Sequence, residues 1–321
     1  MPPEAPAAVA ARSIAILGPT GSRKTDIALA VAEGLGGEIV SCDSMQVYQG
    51  MRIGTCAPLP VSERGIVTHL VGCLDIAERY DANRFVGLAL PTIEGIRRRG
   101  RIAILCGGTG LYARALIYGL SLQPSNPDIF REVCRQAATT EGLAELREEL
   151  TRHAPAVEAS VLGNPRRLIR AVEILRVCGQ FPARPPKVSA APGDSTKAFR
   201  QFVILPPDAL HRQWIQTRTR AMLAAGWVEA ARELCQRGLL QTPTAYQALG
   251  YRDIARFLAS SRDGGDAAPI EQTLVARTWA YVRRQRTWFR HQHPGACQMP
   301  HRADASIADL ASAIVAATRH A

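Results

Sequence analysis

Four short apolar runs recur along the chain: Ser13 to Leu17, Glu38 to Ser41, Ile102 to Cys106 and Gln201 to Leu205. They are near-continuous rather than alternating, the signature of strands covered on both faces, and longer amphipathic stretches separate them, so the pattern predicts parallel strands joined by helices. The alanine-rich stretch Ile27 to Leu35 is expected to form the first helix. Pro124 to Gly179 is predicted helical throughout, and Phe181 to Ser195, rich in proline, glycine and serine, is predicted to be a linker. Beyond Leu205 the pattern is again helical, broken by a polar stretch from Ser260 to Ala268, and no internal repeat is present. The expected organisation is therefore an α/β core in two parts, 12–122 and 199–321, interrupted by a mostly helical subdomain with its linker at 123–198.

Composition narrows the class. The 321 residues carry Lys+Arg 39 against Asp+Glu 28, a formal charge of +11. Only Lys24, Lys187 and Lys197 are lysines, so the excess is carried by arginine. Such a surface favours a polyanionic or phosphorylated partner, although an arginine bias of this size also follows from genome composition. No apolar run approaches the ~18 residues of a membrane span, and the opening MPPEAPAAVAARS lacks a basic region, so no membrane and no secretion are expected. Eight scattered cysteines without a C-x-x-C argue against zinc clusters and a disulfide scaffold, which fits the reducing cytoplasm. A monomer is the default.

The chemistry begins at Gly18, Pro19, Thr20, Gly21, Ser22, Arg23, Lys24 and Thr25, between the first strand and the first helix. This is the setting of a phosphate-binding P-loop, in which backbone amides cradle a diphosphate, Lys24 neutralises it and the Thr25 hydroxyl ligates Mg²⁺. The motif's second glycine is replaced by Arg23. Glycine serves there for close approach or positive φ, and Arg23 adds either strain or a cation to the phosphate site. The bland alternative is a structural strand-to-helix turn. Asp43, just past the second strand, is placed to hold Mg²⁺, to act as a general base or to cap a turn, and spacing alone does not choose. Thr109, in Gly107-Gly108-Thr109-Gly110, is placed to hydrogen-bond a substrate or to mark a plain turn. From Gln272 to Ala303 there is no acid, while Arg277, Arg283, Arg284, Arg286, Arg290 and Arg302 interleave with Trp279, Tyr281, Trp288 and Phe289. That mixture suits phosphate contact with base stacking, or equally an amphipathic helix with its aromatics turned inward.

Six blocks in order, GPTGSRKT (18–25), SCDSMQVYQGMRIGT (41–55), CGGTGLY (106–112), NPRRLIRAVEIL (164–175), ALGYRD (248–253) and YVRRQRTWFR (281–290), resemble the tRNA dimethylallyltransferase (tRNA isopentenyltransferase) family. The resemblance implies a P-loop NTPase-like fold. It also implies transfer of a dimethylallyl group from dimethylallyl diphosphate to N6 of adenosine 37 beside the tRNA anticodon, with release of diphosphate and Mg²⁺ as cofactor. By the same resemblance Asp43 is the general base, Thr109 an active-site residue and Arg218 the arginine that grips diphosphate. The anticodon stem-loop is expected at Asp43, Ser44, Met45 and Gln46, and on the insertion at Arg166, Arg167, Leu168, Ile169 and Arg170. Further contacts are expected at Gln247, Gly250, Tyr251 and Arg252, and on the basic-aromatic block at Arg283, Arg284, Gln285, Thr287, Trp288 and Arg290. The adenosine must be flipped from its stack to be reached. His69 is expected to be structural. Arg23, Cys56-Ala57, Trp214 and Trp279 depart from the family pattern, and Arg23 motivates an alternative, a degenerate paralogue that binds tRNA with weak or no transfer. A relative that acts on a free adenine nucleotide, or a P-loop kinase, is the third reading.

Overall fold

The structure, a computed structural model, describes residues 13–119, 124–181, 199–260, 268–301 and 305–319. The expected linker and the polar break therefore lie mostly outside the described residues, as does the leader. In chain order the elements are β1 (Ser13–Leu17), α1 (Lys24–Leu35), β2 (Glu38–Ser41), α2 (Arg52–Thr55), β3 (Thr68–His69), α3 (Ala82–Arg98), β4 (Ala103–Gly107) and α4 (Gly110–Tyr118). Then come α5 (Pro127–Gln136), α6 (Thr140–His153), α7 (Ala159–Leu162), α8 (Pro165–Cys178), β5 (Phe199–Ile204), α9 (Asp208–Ala224), α10 (Trp227–Gln236), α11 (Tyr251–Ser260), α12 (Ala268–Gln292), β6 (Cys297–Met299) and α13 (Ile307–Arg319).

All six strands are parallel, in the order β3-β2-β4-β1-β5-β6. β1, β2 and β4 are buried at every residue, which explains their continuous apolar sequences. β3 and β6, too short for a run, form the two edges. Ile14 lies opposite Ile104 and Ile104 opposite Ile39, and with Ile27, Val31, Phe202 and Ile314 they form one cluster beneath α1 and α13. Each such side chain contributes roughly 1.5–3 kcal/mol. The fold is thus a parallel sheet flanked by helices, as in P-loop proteins.

At the start of β2 the carboxylate of Glu38, 3% exposed, meets His69 Nε2 at 2.6 Å and Arg99 Nη2 at 2.6 Å. Burial pushes this carboxyl up, but hydrogen bonds from Arg99 and His69 outweigh it and hold it below its ordinary value. His69 thus anchors the edge strand β3.

The chain forms two compact units, one of Met1–Gly119 with Pro192–Ala321 and the other Leu120–Ala191. In the second, Asn126, Thr139 and Asn164 cap α5, α6 and α8 through side-chain oxygens, with Pro127 and Pro165 in the first turns. Its core holds Val133, Leu146, Leu150, Leu168 and Val172. Fully buried Glu173 is satisfied by Arg170 Nη1 at 2.7 Å, Ser125 Oγ at 2.5 Å and the Asn126 amide at 3.2 Å.

Candidate functional site

Three strands end at the same edge and deliver the loops that carry the chemistry: β1 leads into residues 18–25, β2 into Asp43 and β4 into Thr109. This is the edge at which parallel sheets place ligands.

Loop 18–25 turns left-handed at Gly21 (φ 78°) and again at Arg23 (φ 61°, ψ 19°), the residue before α1. A side chain at such φ costs about 1–2 kcal/mol. Arg23 Nε pairs with Asp26 Oδ2 at 3.2 Å, and its Cζ stands 5.8 Å from the centroid of Trp214. A cation over an aromatic face at a partly exposed site stabilises by about 0.5–1 kcal/mol and an i,i+3 pair by about 0.2–0.5 kcal/mol, together close to the strain. The guanidinium is thus engaged by Asp26 and Trp214.

Lys24 is half-buried, with Nζ 3.4 Å from Pro19 O. Burial lowers its pKa, the neighbouring Cys106 and Asp43 raise it, and Arg218 lowers it, so ammonium, carboxylate and guanidinium share one locality. Asp43 Oδ1 accepts the amides of Met45 (2.9 Å) and Gln46 (3.3 Å), which fixes the carboxylate as a turn cap and leaves Oδ2 for other work. Thr109 Oγ1 accepts the Ser44 amide at 3.0 Å, tying the β4 loop to the Asp43 loop. Gln46 Nε2 and Arg218 Nη2 both donate to Thr55 O, at 3.3 Å each.

One stripe of α9 runs along loop 18–25. His211 Nε2 donates to Thr20 O at 2.8 Å, Ile215 Cγ1 lies 3.2 Å from the site of a Cβ on Gly21, Trp214 underlies Arg23, and Arg218 acts on Lys24. The spacing 211, 214, 215, 218 is that of one helix face. His211 is fully buried, and burial pushes its pKa down to about 4, so it is neutral, with its Nε2 proton fixed by Thr20. From α12, Gln285 Oε1 accepts the Thr20 amide at 2.9 Å while its Nε2 donates to Gly108 O at 2.9 Å. Arg286, also buried, donates to Pro206 O at 2.7 Å and pairs with Asp208 Oδ1 at 2.8 Å. Tyr281 is the further neighbour that sequence reading did not place here: burial, with the Asp43 carboxylate adding to it, pushes its hydroxyl up to about 12.

Among the residues expected to meet nucleic acid, Arg283, Arg284, Thr287 and Arg290 form the exposed face of α12, and Gln247 and Arg252 are exposed. Others are committed to the interior. Gln285 is 6% exposed and both ends of its amide are used. Trp288 covers Gly110, where a Cβ would come within 2.2 Å of its ring. Tyr251 is fully buried and donates to Met51 O at 3.2 Å, and Gly250 (φ 87°) lies where a Cβ would strike Trp227 at 2.4 Å. Arg166, Arg167, Leu168, Ile169 and Arg170 belong to the second unit. There Arg166 and Arg167 are exposed, Leu168 is in the core and Arg170 is bound to Glu173.

Among the described residues no group of three or more His, Cys, Asp and Glu could hold a metal. Mg²⁺ needs no such cage, because it keeps several waters and takes one or two protein oxygens with substrate phosphates. Thr25 Oγ1, in the first turn of α1, is a hard oxygen donor of that kind, so the residues fit the ion. Among the described residues no helix is long and apolar enough to cross a membrane.

The family model for IPP transferase matches residues 46–292. A tRNA dimethylallyltransferase of Parafrankia sp. is 38% identical over 86% of this chain and 84% of its own length. That of Deinococcus radiodurans is 36% identical over 90% of this chain and 93% of its own. The crystal structure of the full-length tRNA isopentenylpyrophosphate transferase of Bacillus halodurans superposes with a TM-score of 0.66 at 27% identity, covering 97% of each chain. A parallel sheet whose strand ends gather loop 18–25, Asp43 and Thr109, matched over nearly its whole length by these relatives, makes this chain a member of the IPP transferase family.

Proposed function

We infer that the chain is a tRNA dimethylallyltransferase, transferring a dimethylallyl group from dimethylallyl diphosphate to N6 of adenosine at position 37 of tRNA. The observation that carries the residue assignment is that Asp43, through Gln46, and Arg218 converge on Thr55 O at the open edge of the sheet, with Lys24 Nζ beside Gly108 of the adjoining loop. A transfer that expels diphosphate while an amine loses a proton needs cations and a carboxylate within one pocket.

In this mechanism the amides of residues 18–25 and the Lys24 ammonium bind the diphosphate, and Arg218 takes up charge on the same group. Thr25 would hold Mg²⁺, which would supply further neutralisation of the leaving diphosphate. Adenine N6 attacks the allylic CH₂, the C–O bond breaks with its electron pair going to diphosphate, and the N6 proton passes to Asp43 Oδ2. Thr109 keeps the Asp43 loop in place through Ser44. Withdrawal of Lys24 from bulk water strengthens its pull on developing negative charge. Arg283, Arg284 and Arg290 contact tRNA phosphates on the exposed face of α12. Catalysis needs no second copy of the chain, and a tRNA substrate implies a cytoplasmic enzyme. The degenerate reading prompted by Arg23 draws no support from the geometry, since the residue after it still begins α1.

Incubation with labelled dimethylallyl diphosphate, Mg²⁺ and an anticodon stem-loop tests this. Label should pass to the stem-loop with adenosine at position 37 and not to its guanosine counterpart. A stem-loop that binds without being labelled would overturn the reading.

A further inference from the structure

Arg23 occupies the second glycine position of the G-x-x-x-x-G-K-[ST] pattern and retains glycine's conformation there, at φ 61°. α1 begins at the next residue, and Arg23 gives it no side-chain cap. What the side chain does instead is dock. Asp26, one turn on, takes its Nε, and Trp214 of α9 lies under its Cζ. Trp214 is backed in turn by the ring of His301, 4.8 Å away between centroids and 2% exposed. The contacts Arg23–Trp214–His301 thus run as one stack outward from the last turn of the loop. On its other side the loop rests on His211 and Ile215 of the same helix.

We propose that Arg23 is a positioning residue, which holds the left-handed turn of the diphosphate loop by docking on Trp214, and that it does not serve as a cation for the diphosphate. The proposal rests on the reading of residues 18–25 as the diphosphate site. Strain at Arg23 and its dock on Trp214 are then two halves of one arrangement. Removing the dock alone leaves a strained residue unsupported, and the amides at the start of α1 lose their aim. Removing the strain as well makes the dock unnecessary.

A cycle of full-length variants tests this, read by calorimetric titration with inorganic diphosphate and Mg²⁺ and by steady-state transfer. Trp214→Leu should weaken diphosphate binding about fivefold and raise KM for dimethylallyl diphosphate by the same factor, with kcat unmoved. Adding Arg23→Gly to Trp214→Leu should restore binding to within about twofold of the natural protein. Trp214→Phe, which keeps a ring beneath the guanidinium, should lose less than Trp214→Leu. Two results would overturn the proposal while leaving the loop reading intact. One is a tenfold loss from Arg23→Gly alone that Arg23→Lys avoids, the mark of a phosphate cation. The other is an equal loss from Trp214→Leu beside Gly and beside Arg at position 23. Failure of the natural protein to bind diphosphate at all would overturn the loop reading and this proposal with it. If Trp214→Leu does not fold, the comparison of Arg23→Gly with Arg23→Lys still decides.

Discussion

The amide of Thr20 donates to Oε1 of Gln285 at 2.9 Å, across 265 positions of sequence, and the same side chain returns a hydrogen bond to Gly108 O. One glutamine on α12 therefore sets the distance between loop 18–25 and the β4 loop that carries Thr109. Gln285→Ala leaves a part-buried amide and a buried carbonyl unmet, each costing about 1–3 kcal/mol. The expected outcome is a lower unfolding midpoint and a raised KM for dimethylallyl diphosphate, with Gln285→Glu intermediate because it keeps the Thr20 bond. Thermal unfolding alongside steady-state kinetics checks it, and wild-type KM in Gln285→Ala would dismiss the strut.

Asp43 has two duties that one substitution separates. Asparagine keeps an Oδ1 that accepts the Met45 and Gln46 amides but cannot take a proton at neutral pH. Asp43→Asn should fold with the stability of the natural protein, bind the stem-loop within a few-fold, and lose about 10²–10⁴ in kcat. Single-turnover rates with bound stem-loop measure the loss. A kcat within a few-fold of the natural value would remove Asp43 from the role of base.

Two buried histidines give stability a defined pH dependence. Burial holds His211 and His293 down to about 4, against an ordinary value of 6.5. Between pH 6.5 and 4 the unfolded chain takes up protons that the folded chain refuses, so stability falls as pH is lowered through that window and levels off below it. The loss is at most about 3 kcal/mol per ring. Denaturant titrations from pH 7.5 to 4 should show it, and His211→Gln should flatten part of the slope.

The exposed arginines of α12 are expected to act through phosphates. Each of Arg283→Ala, Arg284→Ala and Arg290→Ala should weaken stem-loop binding at every sequence tested and lower the slope of log Kd against log salt by about 0.7–0.9. Titrations at several salt concentrations measure this. An unchanged slope in the triple variant would place the RNA on another face.

Much of this architecture was legible because buried parallel strands leave continuous apolar runs, and β1 and β2 fall where the sequence put them. β4 is shifted by one residue and β5 begins two earlier than its run. β3 and β6 escaped because two or three edge residues, some exposed, carry no pattern. The site loops were legible as local motifs beside strands. Their supports were not: His211 sits in an ordinary helical stretch, and Gln285, read as an RNA contact, is a buried strut. Hydrogen bonds across 191 and 265 positions leave no local signal. Arg23 was marked by its departure from glycine, but its dock on Trp214, a residue far along the chain, leaves no local signal.

The sheet order sets the sequence of assembly. β1 and the loop after it are made first, yet β1 is flanked by β4 on one side and β5 on the other, and the loop is braced by α9 and α12. A nascent chain that has reached only the insertion holds β1 as an open edge and its loop unbraced. The loop is therefore fully braced only once the last third of the polypeptide, with α12, has left the ribosome.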